Sequence, residues 1–214
     1  MLTIWGRRNS YNVQKALWAA DELALDYRHI DAGGDAGLID TAEFLAMNPH
    51  GRVPVIQDGE NIVWESHSVV RYLAATYGRG TLWAEDPGER ARAEQWMDWT
   101  VATLEREVLA IFWRLVRTPA DMQDKKAIAM HVANSARCYA LLDDWLAERE
   151  WLAGERFTMG DIPAGTTLYR YFEMEIDRPA IPNVRRWYAR LSDRPAYQAN
   201  VMRPFDELRG KLSF

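Results

Sequence analysis

Ser10, Asn12, the pair Val53-Pro54 and the pair Glu65-Ser66 are the positions at which residue type and setting can do chemistry. Asn9-Ser10-Tyr11-Asn12 stands just ahead of an amphipathic run in which Val13, Leu17, Ala20 and Ala24 recur at helical spacing, with Leu23 beside them. A hydroxyl or amide there meets the free N–H groups and positive dipole of a helix start, which favour an anion. Such a donor stabilises a thiolate by charge-assisted hydrogen bonding. Ser10 reads equally as ordinary capping chemistry, and Asn12 reads as the N-cap of that helix.

Glu65 and Ser66 fall where an apolar run ends and a second amphipathic run begins. Ser66 can hold a carboxylate through its hydroxyl and N–H, and Glu65 can pair with an ammonium. Their other reading is a helix cap beside a solvated acid. Val53-Pro54 opens a strand-like segment, so Val53 can meet an extended peptide as an added strand would. The alternative is a proline that only begins a strand. Arg52 and His50 flank the segment and can meet a carboxylate, although His50 also reads as a loop histidine.

The elements that must position these residues alternate over the first eighty positions. Leu2–Trp5 and Tyr27–Ile30 read as strands, residues 41–47 as a short helix, and Asn48-Pro49-His50-Gly51 as its end. Residues 53–57 and 60–64 flank Asp58-Gly59, a hairpin signal. Ser66–Tyr77 is a helix with Val69, Val70, Leu73 and Tyr77 on its apolar face. The order β-α-β-α-β-β-α predicts an α/β thioredoxin-like domain over residues 1–78.

Residues 79–88 read as a linker, and 89–214 as an all-α domain. Met97, Val101, Leu104, Val108, Ile111 and Leu115 form one stripe; Ile128, Val132, Ser135, Tyr139, Leu142 and Leu146 form another. Thr158-Met159-Gly160-Asp161 has capping-box spacing, with Phe157 and Ile162 placed as a hydrophobic staple. Phe112, Trp113 and Tyr169 read mainly as core, because most aromatics on helical stripes are buried. Cys138 reads as a small buried hydrophobe.

The 214 residues carry a formal charge of −5, which argues against a nucleic-acid binder working through broad phosphate neutralisation and leaves only a local basic patch open. The lone cysteine excludes an intramolecular disulfide framework and a paired-cysteine zinc site, and fits a reducing, cytoplasmic setting. No signal peptide or membrane-crossing apolar run is read in the chain.

Asn48-Pro-His-Gly-Arg-Val-Pro54, Trp64-Glu-Ser-His-Ser-Val-Val-Arg-Tyr-Leu73 and Phe157-Thr-Met-Gly-Asp-Ile162, in that order, resemble the glutathione S-transferase family over essentially the whole chain, on the bacterial theta- or beta-like, serine- or asparagine-type pattern. The resemblance implies a glutathione transferase fold, a cis Val53-Pro54 bond, and a homodimer. It implies glutathione as co-substrate with no other cofactor and no metal, a hydrophobic electrophile as second substrate, and a role in detoxification. On that pattern Ser10 or Asn12 holds the thiolate. Val53 and Pro54 meet the cysteine backbone, Glu65 and Ser66 hold the γ-glutamyl end, and Arg52 and His50 meet the glycine carboxylate. Arg7, Tyr11 and Trp113 border the second-substrate pocket. The alternatives are a glutathione-dependent peroxidase or disulfide reductase, and a non-enzymatic binding protein on the same fold. No membrane partner is expected.

Overall fold

The computed structural model describes residues 1–212, which divide into two compact units. The first comprises 1–83 with 195–203, and the second 84–194 with 204–212. The sequence places the break at a linker over 79–88 and assigns everything beyond to one domain. In the structure the helix Pro195–Asn200 groups with the first unit.

In the first unit, β1 (Leu2–Trp5), α1 (Tyr11–Glu22), β2 (Tyr27–Ile30), α2 (Ala42–Met47), β3 (Val55–Asp58), β4 (Asn61–Trp64) and α3 (Ser66–Tyr77) follow the expected order. The sheet order is β2-β1-β3-β4. β1 pairs parallel with β2 and antiparallel with β3, and β3 pairs antiparallel with β4. Alternation sends Trp5 and Val55 to one face, where they meet Ala32, Phe44 and Met47, and sends Ile4 and Ile56 to the other. α1 and α3 pack side by side. Asp58 and Asn61 close the hairpin through a two-residue turn, with Gly59 at φ 60°. The Tyr72 hydroxyl donates to Asp58 Oδ2 at 3.0 Å and ties α3 to the hairpin.

Some local expectations shift. Ser10, not Asn12, is the N-cap residue of α1. That helix ends at Glu22, and Ala24 is exposed beyond it with φ 51°, because the chain must turn sharply into β2. β3 begins at Val55 rather than Val53, since Pro54 has no N–H to give a ladder. The helix Pro195–Asn200 lies against α1, where Tyr197 meets the Trp18 ring edge-on at 4.8 Å and Asn200 donates to Asp21 at 2.6 Å.

The second unit is helical. α4 (Pro87–Trp99) continues through a wide π turn (Thr100–Leu104) into α5 (Glu105–Ile111) and a second wide turn (Phe112–Arg117). α6 (Lys125–Trp145), α7 (Asp161–Glu173) and α8 (Pro182–Ser192) follow. The wide turns explain a miss in the first stripe: Val101 is exposed while Thr100 and Leu104 are buried. A π turn adds a residue and rotates the face that a regular 3.6-residue period would bury. Cys138 is half-buried rather than enclosed.

Asp161 anchors the start of α7. It is fully buried and accepts from the Leu152 N–H at 2.9 Å and the Thr158 N–H at 3.0 Å. The Thr158 hydroxyl accepts from the Gly160 N–H at 3.3 Å, so the capping is reciprocal but displaced by one residue from the expected box. Gly160 is needed for space: a Cβ there would stand 2.9 Å from the Ala93 backbone. Burial raises the Asp161 carboxyl to about 6, although its hydrogen bonds pull the other way.

Candidate functional site

Sheet register decides where the site forms. Trp5 pairs with Ile30 on one side and Val55 on the other, and Val55 pairs with Trp64. These four residues make one row across all four strands. The segments after Trp5, after Ile30, before Val55 and after Trp64 therefore leave the sheet at the same end. Four stretches distant in sequence converge there, and they carry most of the chemistry-bearing residues.

Gly6 makes the convergence possible. It has φ 145°, and a Cβ on it would lie 2.3 Å from a Val13 methyl and 3.1 Å from the Val53 Cβ. Only glycine lets the start of α1 come this close to the Val53 segment. Its N–H donates to the Ile30 carbonyl at 2.9 Å, and the next N–H, of Arg7, donates to the Ala32 carbonyl at 3.0 Å. The ring Nε2 of His29 lies 2.7 Å from the Gly6 carbonyl.

The resulting groove has a volume of about 270 Å³ and is lined by Ser10, Asn12, His50, Arg52, Val53 and Arg7, with Gly33, Gly34, Ile39 and Gly51. A larger cleft of about 1050 Å³ lies in the second unit, between α6 and the segment after α7. Ile128, Val132 and Phe172 line it together with Gln123, Lys125, Glu173 and Arg178. The smaller groove gathers most of the candidate residues named from the sequence.

Ser10 occupies the N-cap position of α1, with φ −78° and ψ 123°, yet its side chain makes no capping hydrogen bond. The Ser10 hydroxyl therefore caps nothing, and Ser10 lines the groove. Asn12 lines the same groove. The Val53-Pro54 bond is cis, and the Val53 N–H and C=O take no hydrogen bond among the described residues. Pro54 itself is buried. Residues 48–52 are braced by buried Asn48, whose amide donates to the Arg52 carbonyl at 2.8 Å and whose Oδ1 accepts from the His50 N–H at 3.1 Å. The His50 ring meets Trp64 edge-on at 5.2 Å.

Glu65 and Ser66 stand at the start of α3. Glu65 is exposed, with φ 68°, a conformation that costs a non-glycine residue about 1–3 kcal/mol and persists where the surroundings impose it. Ser66 is buried to 6% exposure, and its hydroxyl donates to Asn12 Oδ1 at 3.4 Å. That contact joins the start of α3 to the groove-lining segment. Tyr11, expected at a second-substrate pocket, is buried to 5% exposure. Trp113 belongs to the second unit, where Arg117 stacks on its ring at 4.1 Å.

Sequence reading passed over Lys15, His67, Gly33, Gly34, Ile39 and Asn48. Lys15 is fully buried on α1, and its ammonium reaches Asn12, Ser66 and His67. One signal for it existed: a single charge among Tyr11, Trp18 and Ala19, four, three and four positions away on an otherwise apolar face. Gly33, Gly34 and Ile39 carried no signal, because the turn after β2 takes its shape from φ values that sequence spacing does not reveal.

Among the described residues, no group of three or more His, Cys, Asp or Glu is placed to hold a metal ion. No helix among the described residues is long and apolar enough to cross a membrane. The arrangement can bind an extended peptide along Val53, an anion at the start of α3, and a thiolate at the start of α1.

Comparison with known proteins agrees with this geometry. Residues 1–75 match the family described as glutathione S-transferase, N-terminal domain, and residues 106–195 match glutathione S-transferase, C-terminal domain. The chain is 44% identical over 206 residues to glutathione S-transferase GstB of Escherichia coli K12, covering 95% of this chain and 99% of that protein. It is 26% identical over 212 residues to glutathione S-transferase 3 of Zea mays, covering 94% and 93%. Among solved structures, a theta class glutathione S-transferase from Xanthomonas axonopodis pv. citri with glutathione bound superposes with TM-score 0.91 at 48% identity, covering 95% of this chain and 98% of that one.

Proposed function

The chain belongs to the glutathione S-transferase family, and on that premise we propose that the groove beside Val53 binds glutathione with its thiol at Ser10 and Asn12. It is a glutathione S-transferase, joining the glutathione sulfur to an electrophile. The observation that carries the placement is the convergence of Ser10, Asn12, His50, Arg52 and Val53, from separate stretches of chain, on one groove. The glutathione carried by the Xanthomonas relative supports it.

In this reading the Val53 N–H and C=O pair with the glutathione cysteine as an added strand. The γ-glutamyl carboxylate lies against Ser66 and the free N–H groups of α3, and its ammonium pairs with Glu65. Arg52 and His50 meet the glycine carboxylate. A free thiol titrates near 8.5, so about a few per cent is thiolate at neutral pH. The Ser10 hydroxyl, with the Asn12 amide beside it, favours the anion. The thiolate, its proton lost to solvent, forms a C–S bond to the electrophilic carbon; a halide departs with its bonding pair, whereas an opened epoxide oxygen or the far carbon of an activated alkene keeps the pair and takes a proton from solvent. Glutathione is a co-substrate, and no further cofactor takes part.

The second substrate is a hydrophobic electrophile such as a halogenated carbon, an epoxide or an activated alkene, entering past Arg7. The active form is a homodimer and works in the cytoplasm; family membership supports the first, and the lone cysteine suits the second. Calorimetric titration with glutathione and S-alkyl glutathiones tests the groove, and a panel of electrophiles, peroxides and mixed disulfides tests the chemistry. Heat at millimolar glutathione and conjugation of apolar electrophiles are expected. Turnover confined to peroxides and disulfides would instead make the protein a peroxidase or reductase.

A further inference from the structure

Lys15 has no exposed surface. Burying an ammonium costs several kcal/mol unless its N–H groups are satisfied. Its Nζ lies 3.0 Å from Asn12 Oδ1, 3.3 Å from Ser66 Oγ and 3.1 Å from His67 Nε2, and 4.4 Å above the Tyr11 ring. Ser66 and His67 are themselves buried at the start of α3. One charge thus sits between the starts of α1 and α3, the two helix ends assigned to the thiolate and the γ-glutamyl carboxylate.

An ammonium has three N–H groups and no lone pair, so it is the donor in every one of these contacts. The atom of Asn12 facing it is therefore the carbonyl oxygen, which also accepts from Ser66. With its oxygen so engaged, groove-lining Asn12 has its amide NH2 left to donate to a ligand. Ser66 Oγ accepts from Lys15, so its single hydrogen is left for another acceptor. Asn12 Oδ1 takes that hydrogen at 3.4 Å, a long contact that a ligand carboxylate can replace. His67 accepts at Nε2, so its neutral ring carries hydrogen on Nδ1.

We propose that Lys15 is a positioning residue of this site: by donating to Asn12, Ser66 and His67, it fixes the direction in which the first two present their polar hydrogens to glutathione, and it places a buried positive charge behind both anionic groups. The proposal rests on the reading that glutathione occupies the groove. A lysine that only tied α1 to α3 would affect stability and leave the ionisation of the ligand thiol untouched.

The test is Lys15→Met, which keeps an unbranched chain and removes the charge, assayed where near-UV circular dichroism shows it folded. The acid limb of kcat/KM against pH should move up by about one unit or more, and KM for glutathione should rise. Below the limb, activity should fall about tenfold for each unit of movement. A lower melting temperature with the limb and KM unchanged overturns the proposal and leaves the groove reading intact. A parent protein that takes up no glutathione at millimolar concentration overturns both. For a variant that does not fold, Lys15→Gln is read instead: an acid limb moved up by about one unit supports the proposal, and an unmoved limb overturns it.

Discussion

The side-chain amide of Asn48 donates to the carbonyl of Arg52 at 2.8 Å, while its oxygen accepts from the N–H of His50 at 3.1 Å, so one buried side chain shapes the loop that delivers His50, Arg52 and Val53 to the groove. Asn48→Ala should lower stability by about 1–3 kcal/mol, because it strips partners from polar backbone groups next to a buried position. Steady-state kinetics on the folded variant should show KM for glutathione raised with kcat little changed. The proposed thiol donors, Ser10 and Asn12, stand on a different segment, at the start of α1. A loss confined to kcat would contradict this division of roles.

Ser10→Ala separates catalysis from capping. Loss of a working N-cap costs about 0.5–2 kcal/mol, but the Ser10 side chain makes no capping bond, so the melting temperature should barely move. The pKa of bound glutathione, read from thiolate absorbance, should rise toward the free value of about 8.5. Turnover at neutral pH should drop about tenfold for each 1.4 kcal/mol of lost stabilisation. Asn12→Ala is the comparison. An unmoved thiol in Ser10→Ala with a raised one in Asn12→Ala assigns the role to Asn12.

Glu65 combines an exposed carboxylate with φ 68°. Glu65→Gly and Glu65→Ala should both weaken glutathione binding by about 1.5–3 kcal/mol if the carboxylate makes a charged hydrogen bond to the ammonium. Their stabilities should differ, with Gly above Ala by about 1 kcal/mol, because only Gly adopts this conformation without a Cβ conflict. Calorimetry and thermal melts read the two effects apart. Equal melting temperatures would mean that the backbone at residue 65 relaxes on substitution.

Asp161 should give the fold a pH signature without touching ligand affinity. Its carboxyl is raised to about 6 by burial, against about 3.8 in the unfolded chain. Between those values the folded state holds a proton that the unfolded state has lost. Its contribution is therefore complete below about pH 4, declines as pH rises toward 6, and is flat above. Chemical denaturation of the parent relative to Asp161→Asn should show a difference that falls over that window, by at most about 3 kcal/mol. Thr158→Ala should cost about 0.5–2 kcal/mol and leave glutathione affinity near normal. Affinity lost without stability would move these residues into the site.

The sequence by itself determined the element order, the change to a helical second part, and the residues able to do chemistry. These rest on local signals: period-two and period-3.6 apolar patterns, Asp58-Gly59 as a turn, and Ser or Thr ahead of an amphipathic run. Ser66–Tyr77 was legible end to end because a strand, a polar start and an apolar face followed one another without interruption. Tertiary structure alone decided which of these residues meet. The row Ile30, Trp5, Val55, Trp64 is a matter of register between strands, and no local pattern encodes which residue of one strand faces which residue of another. The same holds for Lys15, which joins Ser66 across 51 positions. In sequence it is one charge on a helix; only the packing of α1 on α3 withdraws it from water and makes Asn12, Ser66 and His67 its solvent.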